Sequence, residues 1–170
     1  MNCEHCGEYV VLAGIGQRPR FCSTRCRVAS HRASKKLANF PQSMTVRESW
    51  VRADGKRPIQ PSGRAASSTN MNTWHSFAAV QSGAGDGFGI MLGGGLGCYD
   101  LDYVSDSAAR EFIESISEPI LFAERSMSGT GVHVFVEAPA GAGWKRNING
   151  LSVERYTKDR FIRVTGNQFS

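Results

Sequence analysis

The stretch GCYDLDYV, residues 97–104, places two carboxylates, Asp100 and Asp102, two residues apart among aromatic and aliphatic neighbours. Tyr, Leu and Val favour an extended backbone, and the preceding FGIMLGGGLG reads as a strand and a glycine turn that feed it. Because side chains alternate along a strand, both acids point to one face while Tyr99, Leu101 and Tyr103 point to the other. A chain carrying this segment must build a sheet with one apolar and one acidic face. Two exposed acids on one face repel each other unless positive charge sits between them, and a divalent cation is an economical source, since hard cations take carboxylate oxygens. A solvated strand face is the plainer alternative.

The segments that follow supply partners for that strand. SDSAAREFIESI offers Asp106 or Ser107 as an N-cap and repeats Ala109, Phe112, Ile113 and Ile116 at helical spacing, so a helix should cover the apolar face. PILFAERS reads as a strand, SGTG as a tight turn and VHVFVEA as the returning strand. His133 alternates with Val132 and Val134 and so leaves the sheet on the side away from them. It follows a turn carrying Ser128, Gly129 and Gly131, whose freed amides and hydroxyl, with the imidazole, can cradle a phosphate; a structural strand histidine is the alternative. After a loop containing Trp144, Lys145 and Arg146, LSVERYTKDRFIRVTG reads as a hairpin around TKD. Glu154 alternates with Val153 and adds a third strand carboxylate. Arg160 and Arg163 follow on the second strand, where alternation lets only one share the open face.

Upstream, the residues from Trp50 to Phe77 read as a short strand, an Asp-Gly turn, a basic strand, a polar loop and a helix start near Asn72 or Thr73. The glycines of SGAGDGFGIMLGGGLG precede strand rather than opening a helix, so they read as turns and not as a nucleotide loop. Cys98 reads as small strand packing.

The first 38 residues have a different character. CEHC and CSTRC pair Cys3 with Cys6 and Cys22 with Cys26 as two metal knuckles, expected to close a structural zinc site in a stretch too short for a core of its own. His5 and His31 are possible substitute ligands. The stretch CSTRCR resembles small zinc-binding modules of actinobacterial and phage proteins. The first 40 residues hold seven Lys/Arg against two Glu, which accounts for all of the chain's net charge of +5. A basic helix carrying Arg25, Arg27, Arg32, Lys35 and Lys36 is expected after the last knuckle, directed at nucleic-acid phosphates. A solubilising basic tail is the alternative. Residues 39–48 read as a linker and 49–170 as one domain. No apolar run is long enough to span a membrane and no signal peptide is evident, so the expected location is the cytoplasm, that of a bacterial host if phage-encoded.

In order along the chain, DLD at 100–102, SGTGVH at 128–133, VERY at 153–156 and RFIRVTG at 160–166 resemble the archaeo-eukaryotic primase superfamily, in particular the primase-polymerase domains of phage and plasmid replication proteins. GKRPI at 55–59 and NTWHSF at 72–77 are similar to the family's entry region. The resemblance implies an α+β fold: a primase-polymerase core with a mainly antiparallel, RRM-like sheet covered by helices, here with the N-terminal zinc module added. It implies template-directed synthesis on single-stranded DNA from nucleoside triphosphates. Asp100, Asp102 and Glu154 would hold catalytic Mg²⁺ or Mn²⁺, while His133, Ser128, Gly129 and Gly131, with Arg160 or Arg163, would bind the triphosphate. Since no helicase segment follows Gly166, the implied helicase partner is separately encoded, or the chain is an excised domain. Two other classes stay open: a non-catalytic zinc-containing DNA-binding replication accessory, and a metal-dependent nuclease or replication initiator. The initiators usually carry two histidines around one apolar residue, and the HVF segment has one.

Overall fold

The computed structural model describes residues 2–10, 19–37 and 40–170; of residues 32–37 it describes the backbone only. In chain order the elements are α1 (Thr24–Leu37), α2 (Gln42–Thr45), β1 (Trp50–Asp54), β2 (Arg57–Ile59), β3 (Gly87–Met91), β4 (Leu96–Asp102), α3 (Asp106–Ser115), β5 (Ile120–Arg125), β6 (Val132–Glu137), β7 (Trp144–Ile148), β8 (Leu151–Tyr156) and β9 (Phe161–Val164). The strands make two sheets, one in the order β2-β1-β3-β9 and the other β5-β6-β4-β8-β7, with every pairing between them antiparallel. The class is α+β with few helices.

Strand alternation divides the core in two. Between the sheets lie Trp50, Ile90 and Ile162 from the smaller one and Leu96, Cys98, Phe122 and Phe135 from the larger. On the larger sheet's opposite face, Ala109 and Phe112 of α3 bury Tyr99, Leu101, Val132, Val134, Val136 and Val153. Fully burying side chains of this size contributes roughly 1.5–3 kcal/mol each. The expected helix therefore covers the expected apolar face. Its N-cap is Ser105, whose side chain accepts from the Ala108 amide, one or two residues before the anticipated Asp106 or Ser107.

Five expectations are corrected. The inner face of the larger sheet is covered by a second sheet and not by helices. Residues 40–48, read as a linker from their polar and proline content, carry α2 and bury Phe40 and Met44; the Phe40 ring sits 5.3 Å from Trp50, whose Nε1 donates to the Met44 carbonyl oxygen at 3.1 Å. Residue 39 lies outside the described residues. LSVERYTKDRFIRVTG is not a hairpin: β8 pairs with β4 and β7, β9 pairs with β3, and the TKD segment, with Asp159 at φ 54°, carries the chain from one sheet to the other. The supposed loop at Trp144 is β7, joined to β8 through Asn149 and Gly150 at φ 51° and 85°, the left-handed pair that a tight hairpin requires. Near Asn72 the expected helix is a single 3₁₀ turn, Met71–Thr73, with Asn70 as its cap.

Candidate functional site

Register places five polar side chains in one row across the larger sheet. Glu124 on β5 lies opposite His133 on β6, His133 opposite Asp100 on β4, Asp100 opposite Glu154 on β8, and Glu154 opposite Lys145 on β7. Directly opposed residues bring their Cβ atoms to about 4.5–5.5 Å, so each interacts with the next. Asp102 adds a second carboxylate on β4, exposed beyond the row.

Asp100 and Glu154 are like-charged neighbours, and on either side of that pair the row alternates in sign. Asp100 Oδ1 lies 3.7 Å from His133 Nε2, and Glu154 takes Lys145 Nζ at 2.6 Å and the Tyr156 hydroxyl at 2.8 Å. Burial pushes the Asp100 carboxyl above its usual value; His133 opposes this, while Asp102 and Glu154 reinforce it. The Lys145 ammonium and Tyr156 hydroxyl hold Glu154 below the usual carboxylate range. Burial works against a charged His133, but the Glu124 carboxylate, with Asp100 and Asp102, outweighs it and the imidazole's pKa is raised.

Asp100 and His133 of the row line a cleft of about 560 Å³ together with Asp102, Ser128, Arg160 and Arg163 among others. In the turn between β5 and β6 the hydroxyls of Ser126, Ser128 and Thr130 form a chain with both separations 3.0 Å. Gly129 is left-handed at φ 79°. A Cβ at Gly131 would lie 2.7 Å from the Leu101 carbonyl oxygen, so glycine lets the turn close against β4.

Both arginines line the cleft, against the expectation from alternation that only one would. Arg160 precedes β9, so strand parity does not apply to it; its guanidinium lies 4.3 Å over the Tyr156 ring and 3.8 Å from Glu154. Arg163 belongs to the smaller sheet, where Asp86 at 2.7 Å and the Gly55 carbonyl oxygen hold it. Asp86 also accepts from the Gly55 amide, and buried Arg52 donates to the carbonyl oxygens of Val80, Gly83, Ala84 and Gly85. The glycine-rich segment is thus fastened by two arginines, as turns between strands.

At the N-terminus the four sulfurs of Cys3, Cys6, Cys22 and Cys26 lie within 4.8 Å of one another, none in a disulfide. Cys22 Sγ is 3.5 Å from Cys6 Sγ and 3.4 Å from Cys26 Sγ. A tetrahedron of ~2.3 Å Zn–S bonds separates sulfurs by about 3.8 Å, so the cluster is compatible with a zinc site. Burial opposes ionisation of Cys3, yet the backbone amides of Cys22, Cys6 and His5 bring its thiol down to about 6. The thiols of Cys26 and Cys6 push Cys22 up to about 12. Four sulfurs this close ionise together only around a cation.

Mg²⁺ or Mn²⁺ finds the right donor type but not a gathered set on the large sheet. Asp100, Asp102 and Glu154 offer hard oxygens on one face, with like charges crowded on Asp100. Yet among the described residues the cysteine cluster is the sole group of three or more such ligands whose donor atoms converge. Glu154 would have to leave Lys145 and Tyr156 to join the aspartates.

In α1, Arg25 and Arg27 are exposed, and Arg25 lines a groove against the smaller sheet with His5, Val28, Met127 and Arg163. The side chains of Arg32, Lys35 and Lys36 lie outside the described residues. No helix among the described residues is long and apolar enough to cross a membrane.

The sequence reading missed Glu124 and Lys145 as members of the row. Glu124 is 0% exposed, and the signal for it was an acid sharing parity with Phe122 in an apolar strand. For Lys145 the signal was Asn149-Gly150, a hairpin turn that pairs the segment before it with β8. Neither a family model nor a curated protein matches the chain.

Proposed function

We propose that the chain is a template-directed nucleotidyltransferase, a primase-polymerase of the archaeo-eukaryotic primase kind, building a nucleic-acid strand on single-stranded DNA from nucleoside triphosphates. The observation that supports this most directly is the register of His133, Asp100 and Glu154 on three neighbouring strands, with His133 and Asp100 lining an open cleft beside a hydroxyl-bearing glycine turn. His133 and the Ser126–Thr130 turn would hold the triphosphate, and Arg160, exposed at the rim, would offset its charge. Asp100, Asp102 and Glu154 would take Mg²⁺ or Mn²⁺, which supplies charge neutralisation and lowers the pKa of an attacking hydroxyl. Lys145 would stand in for that cation at Glu154 until it binds. The exposed Arg25 and Arg27 of the zinc module would contact template phosphates.

The engagement of Glu154 by Lys145 and Tyr156 favours a second reading, a non-catalytic zinc-containing DNA-binding accessory in which the row is structural. Incorporation of labelled dNTPs and NTPs on a single-stranded template, with Mg²⁺ or Mn²⁺, separates the two. The wild type should synthesise and the Asp100→Ala, Asp102→Ala double variant should not. A folded, metal-supplied wild type that makes no product shifts the weight to the accessory.

A further inference from the structure

We propose that Glu124 is a positioning residue for triphosphate binding, fixing the His133 ring so that Nδ1 keeps its hydrogen and Nε2 is the nitrogen presented to the cleft. This rests on the reading of that cleft as a triphosphate site. The Glu124 carboxylate is wholly buried, and its neighbours leave it little freedom. Oε2 accepts from the amides of Thr165 at 2.9 Å and Gly166 at 2.8 Å, the Thr165 hydroxyl lies 3.2 Å away, and Oε1 lies 3.1 Å from His133 Nδ1. The Thr165 hydroxyl also donates to the Arg125 carbonyl oxygen at 2.7 Å, tying the segment after β9 to β5. An ionised carboxylate only accepts, so the nitrogen facing it must carry the hydrogen. The other nitrogen, 3.7 Å from Asp100, then faces the cleft.

Burying a carboxylate this completely is costly unless its partners are fixed, and here two backbone amides and the imidazole meet it. Among the groups in contact with Glu124, the imidazole alone also reaches the cleft. The two amides hold the carboxylate still, and the carboxylate holds the ring. A ring fixed in this way, when Nε2 also carries a proton, donates to a phosphate oxygen without first losing rotational freedom.

A double-mutant cycle tests this by titrating a fluorescently labelled dATP by anisotropy, with Ca²⁺ as the cation. Glu124→Gln preserves shape but turns an N–H toward Nδ1. The wild type should bind; Glu124→Gln and His133→Ala should each weaken binding about tenfold or more, and the double variant should bind no worse than the weaker single. A purely structural glutamate predicts losses that multiply in the double variant, and that result, or a Glu124→Gln that binds like the wild type, overturns the inference alone. A wild type that does not bind labelled dATP overturns the triphosphate reading, and the inference falls with it. Should Glu124→Gln fail to fold, ¹⁵N-histidine spectra of the wild type decide, with the His133 signals assigned by their absence in His133→Ala. Nδ1 should be of the hydrogen-bearing type whether or not the ring is charged, and a bare Nδ1 overturns the inference.

Discussion

Two groups of metal-type ligands lie in this molecule, and they differ in readiness. The four thiols of the N-terminal module already sit within 4.8 Å of one another, while the three carboxylates of the large sheet share a face without converging. Backbone geometry explains the contrast. Knuckle cysteines ride on turns and on the start of α1, which bend back on themselves. Strand carboxylates are fixed at the sheet's own spacings, about 4.8 Å between strands and twice ~3.3 Å along one. At those spacings two of the acids take a local basic neighbour: His133 for Asp100 and Lys145 for Glu154. The first group is thus gathered in a way compatible with a zinc site, and the second is not gathered around any one point.

The largest effect that would break this contrast is removal of zinc. Chelation, or Cys22→Ser, should melt α1 while the two sheets keep their fold, because zinc binding supplies ~10–16 kcal/mol in modules of this kind. Loss of helical circular dichroism with retained near-ultraviolet signal from Trp50 would show it; loss of both would mean that the sheets lean on the module. Next, Asp100→Asn should lower nucleotide incorporation at least about a hundredfold and yet raise Tm by about 2–4 °C at neutral pH. The sign follows from its raised folded pKa: the charged form is disfavoured in the fold, so stability is lost as pH rises through that value and regained when the charge is removed. A fall in Tm would mean that Asp100 is satisfied as it stands.

Lys145→Met sharpens the contrast at smaller cost. The ammonium is well exposed, so stability should change little, while the released Glu154 should bind Mn²⁺ more tightly in a calorimetric titration. Unchanged Mn²⁺ affinity would place Glu154 outside any cation site. The smallest effect is in acid. The lowered pKa of Glu154 contributes stability above the ordinary carboxylate pKa of about 4.3, lost as pH falls through the folded value. Lys145→Met should therefore flatten the decline of Tm below about pH 4.5, and a parallel decline would dissociate Lys145 from it.

The sheet's two faces were legible because period two states them outright. Asp100 and Asp102 against Tyr99 and Leu101, and His133 against Val132 and Val134, go where alternation sends them, and Phe112 covers the apolar side. Tyr103 does not: it lies just past the strand at φ 50°, 87% exposed, because the chain turns there toward α3. Pairing between distant strands was not legible. Nothing local in TKD distinguishes a hairpin from a crossing between sheets; the decision lies with β3, more than sixty residues earlier, which offers β9 a better edge. Glu124 was hidden for the same reason, since its amide donors at Thr165 and Gly166 arrive with β9. Phe40 and Met44 needed the two-sheet interior before they had anywhere to go.

The crossing from β8 to β9 also sets an order of assembly. The larger sheet gathers segments close in sequence, β5 with β6 and β7 with β8, so much of it can form by local encounters. The smaller sheet must pair Phe88 with Val164, a long loop closure of the kind that slows folding. Until that strand docks, β3 has an open edge and Glu124 lies buried without its amides. The late step that closes the protein's interior is the same one that completes the support behind His133, so a partly folded chain would carry its carboxylates in place before it could hold a ligand firmly.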